Sequence, residues 1–173
     1  FTFPVRLEDN SAHALGEYPG GDTVTYNESI FVGYRWHDKE RLEPLFAFGH
    51  GLSYTTFAVG NVKTDRTTLA SKGSIRISAD VTNTGDRAGA EVVQLYIGDE
   101  KSSLPRPVKE LKGFRKIALD PGQTQTVTFE ITPDMLRYYD DAKGAWVAEP
   151  GAFTAYVGVA SDDIRGTVGF ELK

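Results

Sequence analysis

From Phe57 onward the chain is a succession of short segments that alternate apolar and polar residues and are separated by turn signals. Strict period-two alternation places every second side chain on one face of a strand, so it demands a sheet with one buried side. Ser74–Val81 reads Ser-Ile-Arg-Ile-Ser-Ala-Asp-Val and is followed by the turn signal Asn83-Thr84-Gly85-Asp86. Glu91–Ile97 puts Val93, Leu95 and Ile97 on one face, and Val108–Leu119 is extended with an expected break at Gly113. After the turn Asp120-Pro121-Gly122, Val127, Phe129 and Ile131 alternate with threonines. Thr132-Pro133-Asp134-Met135-Leu136 predicts one helical turn, with Thr132 as its cap and Pro133 at its first position. Trp146-Val147, then Phe153, Ala155, Val157 and Val159, then Thr167–Leu172 supply the last strands. About seven short strands with almost no helix predict an antiparallel β-sandwich of the immunoglobulin or fibronectin type III kind. The chain contains no cysteine, so the immunoglobulin disulfide is excluded.

Residues 1–57 have a different texture. They hold 11 of the chain's 20 aromatic residues, broken by Pro4, Pro19, Gly20, Gly21, Pro44, Gly49 and Gly51. Ser29–Trp36 is the one clear strand expectation, apolar on both faces, and Leu45–Phe48 is a second, shorter one. Fewer than about 60 residues bury too little surface to fold alone without a staple. The economical expectation is that residues 1–57 are the tail of a larger domain. The chain opens on Phe1 and its only methionine is Met135, which adds the expectation that it is part of something longer. Residues 58–69 are expected as a linker or first strand, and 70–173 as the sandwich.

Charge and motifs exclude more than they assign. A formal net charge of −5 makes a poor binder of phosphate backbones, so nucleic acid is not an expected partner. No apolar run approaches the roughly 20 residues of a membrane helix. The compartment stays open. His13, His37 and His50 have no Cys or carboxylate at ligand spacing, so no metal is expected. Phe48-Gly49-His50-Gly51 lacks the lysine and following helix of a phosphate loop and reads as a tight turn permitting close approach. Glu28, Asp38, Glu40, Glu43, Asp140, Asp141 and Glu149 show no spacing that singles out a catalytic pair, and are expected to be solvated or in turns. Asn27-Glu28-Ser29 fits the glycosylation pattern, a match frequent by chance.

The order of motifs says more. FTFPVRLEDN at 1–10, YNESIFVGYRWHDK at 26–39, PLFAFGHGLSYTTF at 44–57, VKELKGF at 108–114, and WVAEPG and VGVASDDI at 146–151 and 157–164 resemble, in that order, segments of glycoside hydrolase family 3 β-glucosidases. The departures, at Ser29, Trp36, His37 and Ala47, are small. The resemblance implies a β/α barrel, then an α/β sandwich whose last segment is residues 1–57, then a fibronectin type III-like domain. It implies a retaining enzyme acting on terminal non-reducing β-D-glucosyl residues, with an Asp nucleophile and a Glu acid/base. No position here matches either motif, so no catalytic residue is expected in this chain, and the chain alone is expected to be inactive. Substrate-binding residues stay unassigned. No cofactor is implied, and the expected partners are the catalytic domains of the same enzyme. Asp99–Pro107, the longest non-strand stretch of the sandwich, is expected to lie against those domains together with Arg106, Lys109 and Glu110. The alternatives are a β-xylosidase of the same family and a free-standing carbohydrate-binding or spacer module. The latter predicts a planar row of exposed aromatics, whereas most of the sandwich's aromatics, Tyr138-Tyr139 apart, fall on core-type positions.

Overall fold

The computed structural model describes all 173 residues. Its body is two β-sheets packed face to face. Strands β1 (Phe57–Thr64), β3 (Ile75–Asn83) and β6 (Thr124–Ile131) form one sheet in the order β1-β3-β6. The other runs β2-β10-β9-β4-β5, with β2 (Thr68–Leu69), β4 (Gly89–Asp99), β5 (Glu110–Leu119), β9 (Gly151–Gly158) and β10 (Ile164–Leu172). All pairings within the sheets are antiparallel except the short β2–β10 contact. A separate hairpin joins β7 (Tyr138–Asp140) to β8 (Ala145–Val147).

The alternation explains the packing. Ile75, Ile77, Ala79 and Val81 of β3 and Val127, Phe129 and Ile131 of β6 point inward and are buried. Opposite them lie Val93, Leu95 and Ile97, with Ala155, Val157, Phe170 and Leu172 from neighbouring strands. Phe153 and Phe170 are cross-strand partners whose rings stack at 5.6 Å. Such paired inner faces are the core of a sandwich. The expected break at Gly113 is a β-bulge, where the β4–β5 register shifts between Leu95 and Tyr96. Residues 58–69 hold most of β1 and all of β2. The helical turn at Pro133–Leu136 forms, but the Thr132 side chain makes no capping bond. No helix is long and apolar enough to cross a membrane.

The first 57 residues form a structured arm. It carries the short helix α1 (Ser11–Ala14) and the helix α2 (Tyr34–Glu40). The expectation of a strand at Ser29–Trp36 is wrong. Ser29 and Gly33 take positive φ (53° and 57°), and the chain turns at Asn27–Ile30 before α2 starts. A strand needs an edge to pair with, and neither sheet reaches this segment. At Leu45–Phe48 a single bridge, Phe3 to Phe46, replaces the expected strand. The arm's anchor is Trp36, 6% exposed, whose Nε1 donates to the Asp9 carbonyl at 3.1 Å. A broad apolar surface nonetheless stays open: Phe1, Phe3, Leu7, Tyr26, Val32 and Leu45 are all exposed.

Candidate functional site

The arm meets the sandwich along the outer face of β4. In a free sandwich that face would be solvated, yet Gln94 and Tyr96 are buried beside the inward Val93, Leu95 and Ile97. Tyr34 from α2 packs edge-on against Tyr96, with ring centroids 5.7 Å apart, and tilts over Phe48 at 5.2 Å. The Tyr34 hydroxyl accepts the Leu111 backbone N–H at 3.0 Å. The 48–51 turn is tight, as expected: Gly49 has φ +87° and His50 N–H donates to the Ala47 carbonyl at 3.1 Å. What it approaches is a side chain. The Gln94 carboxamide lies against Gly49, accepts from the Tyr96 hydroxyl, and donates to the Val159 carbonyl at 2.6 Å. Ser161 N–H then donates to the Phe48 carbonyl at 2.9 Å. Burial drives the Tyr96 phenol far above its ordinary value, so it remains a donor.

Next to this contact lies a cluster of charges. Asp38 Oδ2 of α2 receives Lys109 Nζ at 2.6 Å, and Lys109 is only 7% exposed. Arg35, also of α2, pairs with Glu110 Oε1 at 3.2 Å. Arg106 Nη2 reaches Glu110 Oε2 at 2.6 Å, while its Nη1 reaches Asp99 Oδ2 at 3.4 Å and the Leu136 carbonyl at 3.1 Å. Its guanidinium lies 5.2 Å from the Tyr138 ring centre. Arg106 therefore closes Asp99–Pro107 onto the sandwich, whereas Lys109 and Glu110 join the sandwich to the arm. Lys112 Nζ adds a third cation to Glu110 at 3.3 Å. Burial works against the charged form of Glu110, but Lys112, the hydrogen bond from Arg106 and Arg35 outweigh it, so its carboxyl sits below the usual range.

Of the carboxylates expected to be solvated or in turns, Asp38 is ion-paired to Lys109 instead, whereas Asp140 stands at the 141–144 turn, 6% exposed, and accepts from the backbone of Ala142 and Lys143. Glu28 is 9% exposed and shares a hydrogen bond with Glu17. That bond pushes the Glu28 carboxyl up. Burial opposes the charged form of Glu17, but the bonds from Glu28 and Asn27 overcome it and hold its carboxyl low. The histidines are occupied locally: His37 Nδ1 lies 3.2 Å from the Leu42 carbonyl, and His13 and His50 pack on Tyr18 and Phe46. No group of three or more His, Asp or Glu is placed to hold a metal ion. An open polar cleft of about 470 Å³ lies between His50, Ser53, Glu91, Asp162 and Arg165.

The sequence pointed to Arg106, Lys109 and Glu110, and they are brought together; Arg35, Asp38 and Lys112 were missed. The misread helix hid the first two, because Arg35 and Asp38 share a face only at helical spacing. Two sandwich aromatics outside the core were missed as well. Trp146 and Phe114 are 65% and 62% exposed, and Trp146 meets Tyr139 edge-on at 5.7 Å, which is not a planar row.

Residues 91–161 match the fibronectin type III-like domain family. The chain is 52% identical over 99% of its length to β-glucosidase BoGH3A of Bacteroides ovatus, of which it covers 23%. It superposes with a TM-score of 0.89, at 36% identity, on the crystal structure of the Bifidobacterium adolescentis GH3 β-glucosidase, covering 99% of this chain and 25% of that one. For DesR, a β-glucosidase from Streptomyces venezuelae solved with D-glucose, the values are 0.90, 38%, 99% and 22%. The chain thus spans about a fifth to a quarter of the length of the relatives it matches. Matched from end to end and carrying the fibronectin type III-like domain, it belongs to glycoside hydrolase family 3 and corresponds to the C-terminal part of that family's β-glucosidases.

Proposed function

We propose that this chain is the scaffold portion of a retaining β-glucosidase that hydrolyses terminal non-reducing β-D-glucosyl residues. The observation that carries the reading is the unbroken match to β-glucosidases in a chain that is about a quarter of their length. In such an enzyme one carboxylate attacks the anomeric carbon while another protonates the leaving oxygen and then activates water. Both belong to polypeptide outside these residues. Residues 1–57 complete the α/β sandwich domain of the enzyme, and 70–173 form its third domain. The open apolar face of the arm supports this, because so large a patch on one element marks a surface meant to be covered. Arg106, Lys109 and Glu110 then lie where the third domain meets the rest of the enzyme. The matched relatives are named β-glucosidases, which favours glucose over xylose.

The test is hydrolysis of an aryl β-glucoside by the purified 173-residue chain, alone and mixed with the separately expressed remainder of the enzyme. The chain alone is silent and the mixture is active. Activity from the chain alone that survives repurification places the carboxylate pair within it and overturns the reading.

A further inference from the structure

The cations around Glu110 outnumber the anions. Arg35, Arg106 and Lys112 all converge on that one carboxylate. The second anion, Asp99, faces Arg106, and Asp38 is taken by Lys109. Three positive charges are therefore set against two negative ones. The shortfall falls on Arg35 and Lys112. Lys112 has three N–H donors, and its one ion pair is the 3.3 Å contact to an oxygen that already receives Arg106 at 2.6 Å. Its side chain is only 15% exposed, so water makes up little of the deficit. Burial first, then the neighbouring Arg106 and Arg35, depress its basicity despite Glu110. Arg35 offers a planar fork of which a single contact at 3.2 Å is used, and a third of its side chain is open. A buried charge is costly to leave undercompensated.

The geometry points to a socket for one carboxylate at Arg35 and Lys112, filled in the whole enzyme by an aspartate or glutamate of the polypeptide outside this chain. The occupant follows from three observations. The charge it must carry is negative. The chain itself is acidic, with a net charge of −5, so the positive spot is local and suits a single anionic side chain better than a polyanion. Arg35 sits on α2 of the arm, whose flanking segments leave Phe1, Phe3, Tyr26, Val32 and Leu45 uncovered, and most of the relatives' length lies outside the matched stretch. The inference rests on the proposed packing of the sandwich against the rest of the enzyme, and adds to it the chemistry of one contact.

Lys112→Met, with Lys112→Arg as the charge-keeping control, separates the possibilities when each is made in the 173-residue chain and in the full-length enzyme. In the chain alone Lys112→Met removes an undercompensated cation, so the melting temperature holds or rises. In the full-length enzyme it strands the incoming carboxylate, so the melting temperature falls, and Lys112→Arg restores it. A shift of the same sign in both proteins overturns the socket, as does a full-length fall that Lys112→Arg fails to relieve. Amide hydrogen exchange over residues 99–112 tells the two readings apart. If exchange there is slower in the full-length enzyme than in the chain while the shifts have one sign, the interface stands and the socket is wrong. If exchange is equal in both, the interface reading fails as well.

Discussion

Gly49 lies so close to the side-chain amide of Gln94 that a Cβ at position 49 would sit 2.3 Å from Nε2. The amide cannot swing away, because it is held by the Val159 carbonyl and the Tyr96 hydroxyl and is 3% exposed. The φ of +87° at Gly49 adds a second penalty for any side chain. Gly49→Ala is therefore expected to destabilise the chain by about 3 kcal/mol in denaturant unfolding, the sum of backbone strain and overpacking. Combining it with Gln94→Ala recovers part of that loss in a double-mutant cycle, since the clash is with that side chain. Strict additivity refutes the contact.

The Asp38–Lys109 pair behaves differently when broken from one side or both. Asp38→Asn leaves the Lys109 ammonium, 7% exposed, without its counter-charge, at a cost of about 3 kcal/mol. The double variant Asp38→Asn, Lys109→Met regains most of this, because a buried ion pair is often no better than apolar packing of similar volume. Equal losses in the single and double variants count against the pair as the arm's tether.

Asn83, wholly buried at the end of β3, uses every polar atom of its side chain. Oδ1 accepts from Thr55 Oγ1 and Gly85 N, and Nδ2 donates to the carbonyls of Arg87 and Leu119. Asn83→Ala strands four partners and is expected to cost about 3 kcal/mol. Asn83→Asp is no substitute, since it cannot donate to the two carbonyls when ionised. A melt unchanged from the parent in either variant dismisses this hub.

Glu110 makes stability depend on acid. Its folded carboxyl titrates below its ordinary value of 4.5, so its contribution is complete above that value and is lost as pH falls through the lower, folded one. With the carboxyl protonated, Arg35, Arg106 and Lys112 face one another with Asp99 alone between them. Unfolding free energy of the chain is expected to drop on acidification through the range below 4.5, and Glu110→Gln flattens that part of the profile while lowering stability at neutral pH. A parallel profile for Glu110→Gln excludes Glu110 as the group concerned.

Arg106→Ala releases the Asp99–Pro107 loop, because the guanidinium is what joins Asp99, Glu110 and the Leu136 carbonyl. In the full-length enzyme it lowers the melting temperature or the turnover of an aryl β-glucoside. Unchanged values of both remove Arg106 from any account of the domain contact.

The sandwich was legible because its signal is local. Ile75, Ile77, Ala79 and Val81 announce a strand with one wet face, and Asp120-Pro121-Gly122 announces a turn, where Gly122 indeed takes φ +73°. The arm was not, and Ser29–Trp36 shows why. Ile30, Val32, Tyr34 and Trp36 alternate like a strand, but Gly33 at positive φ ends the run, and Trp36 and His37 are buried from a helix instead. Gly33 was the available signal, outweighed by apolar residues on both faces. The seam lay further out of reach. Gln94 and Tyr96 look like ordinary outward residues of β4, and only distant parts of the arm, Tyr34 on α2 and the turn at Phe48-Gly49, bury them. Lys109 and Glu110 could be singled out for their place after a stiff loop, but their partners on α2 lie more than 70 positions earlier in the chain.

The arm touches both sheets. Tyr34, Asp38 and Phe48 hold β4 and its surroundings in the five-stranded sheet, while Thr55 Oγ1 donates to Asn83 at the end of β3 and Thr84 N–H donates to the Thr56 carbonyl in the three-stranded one. Contact between two apolar faces is non-directional and by itself does little to resist sliding. A strap fastened to both sheets resists it, together with the directional Asn83–Leu119 hydrogen bond between them. Force applied at the N-terminal end of this chain is consequently shared between the sheets instead of peeling β1 from its edge, and the sandwich travels with whatever the arm is fastened to.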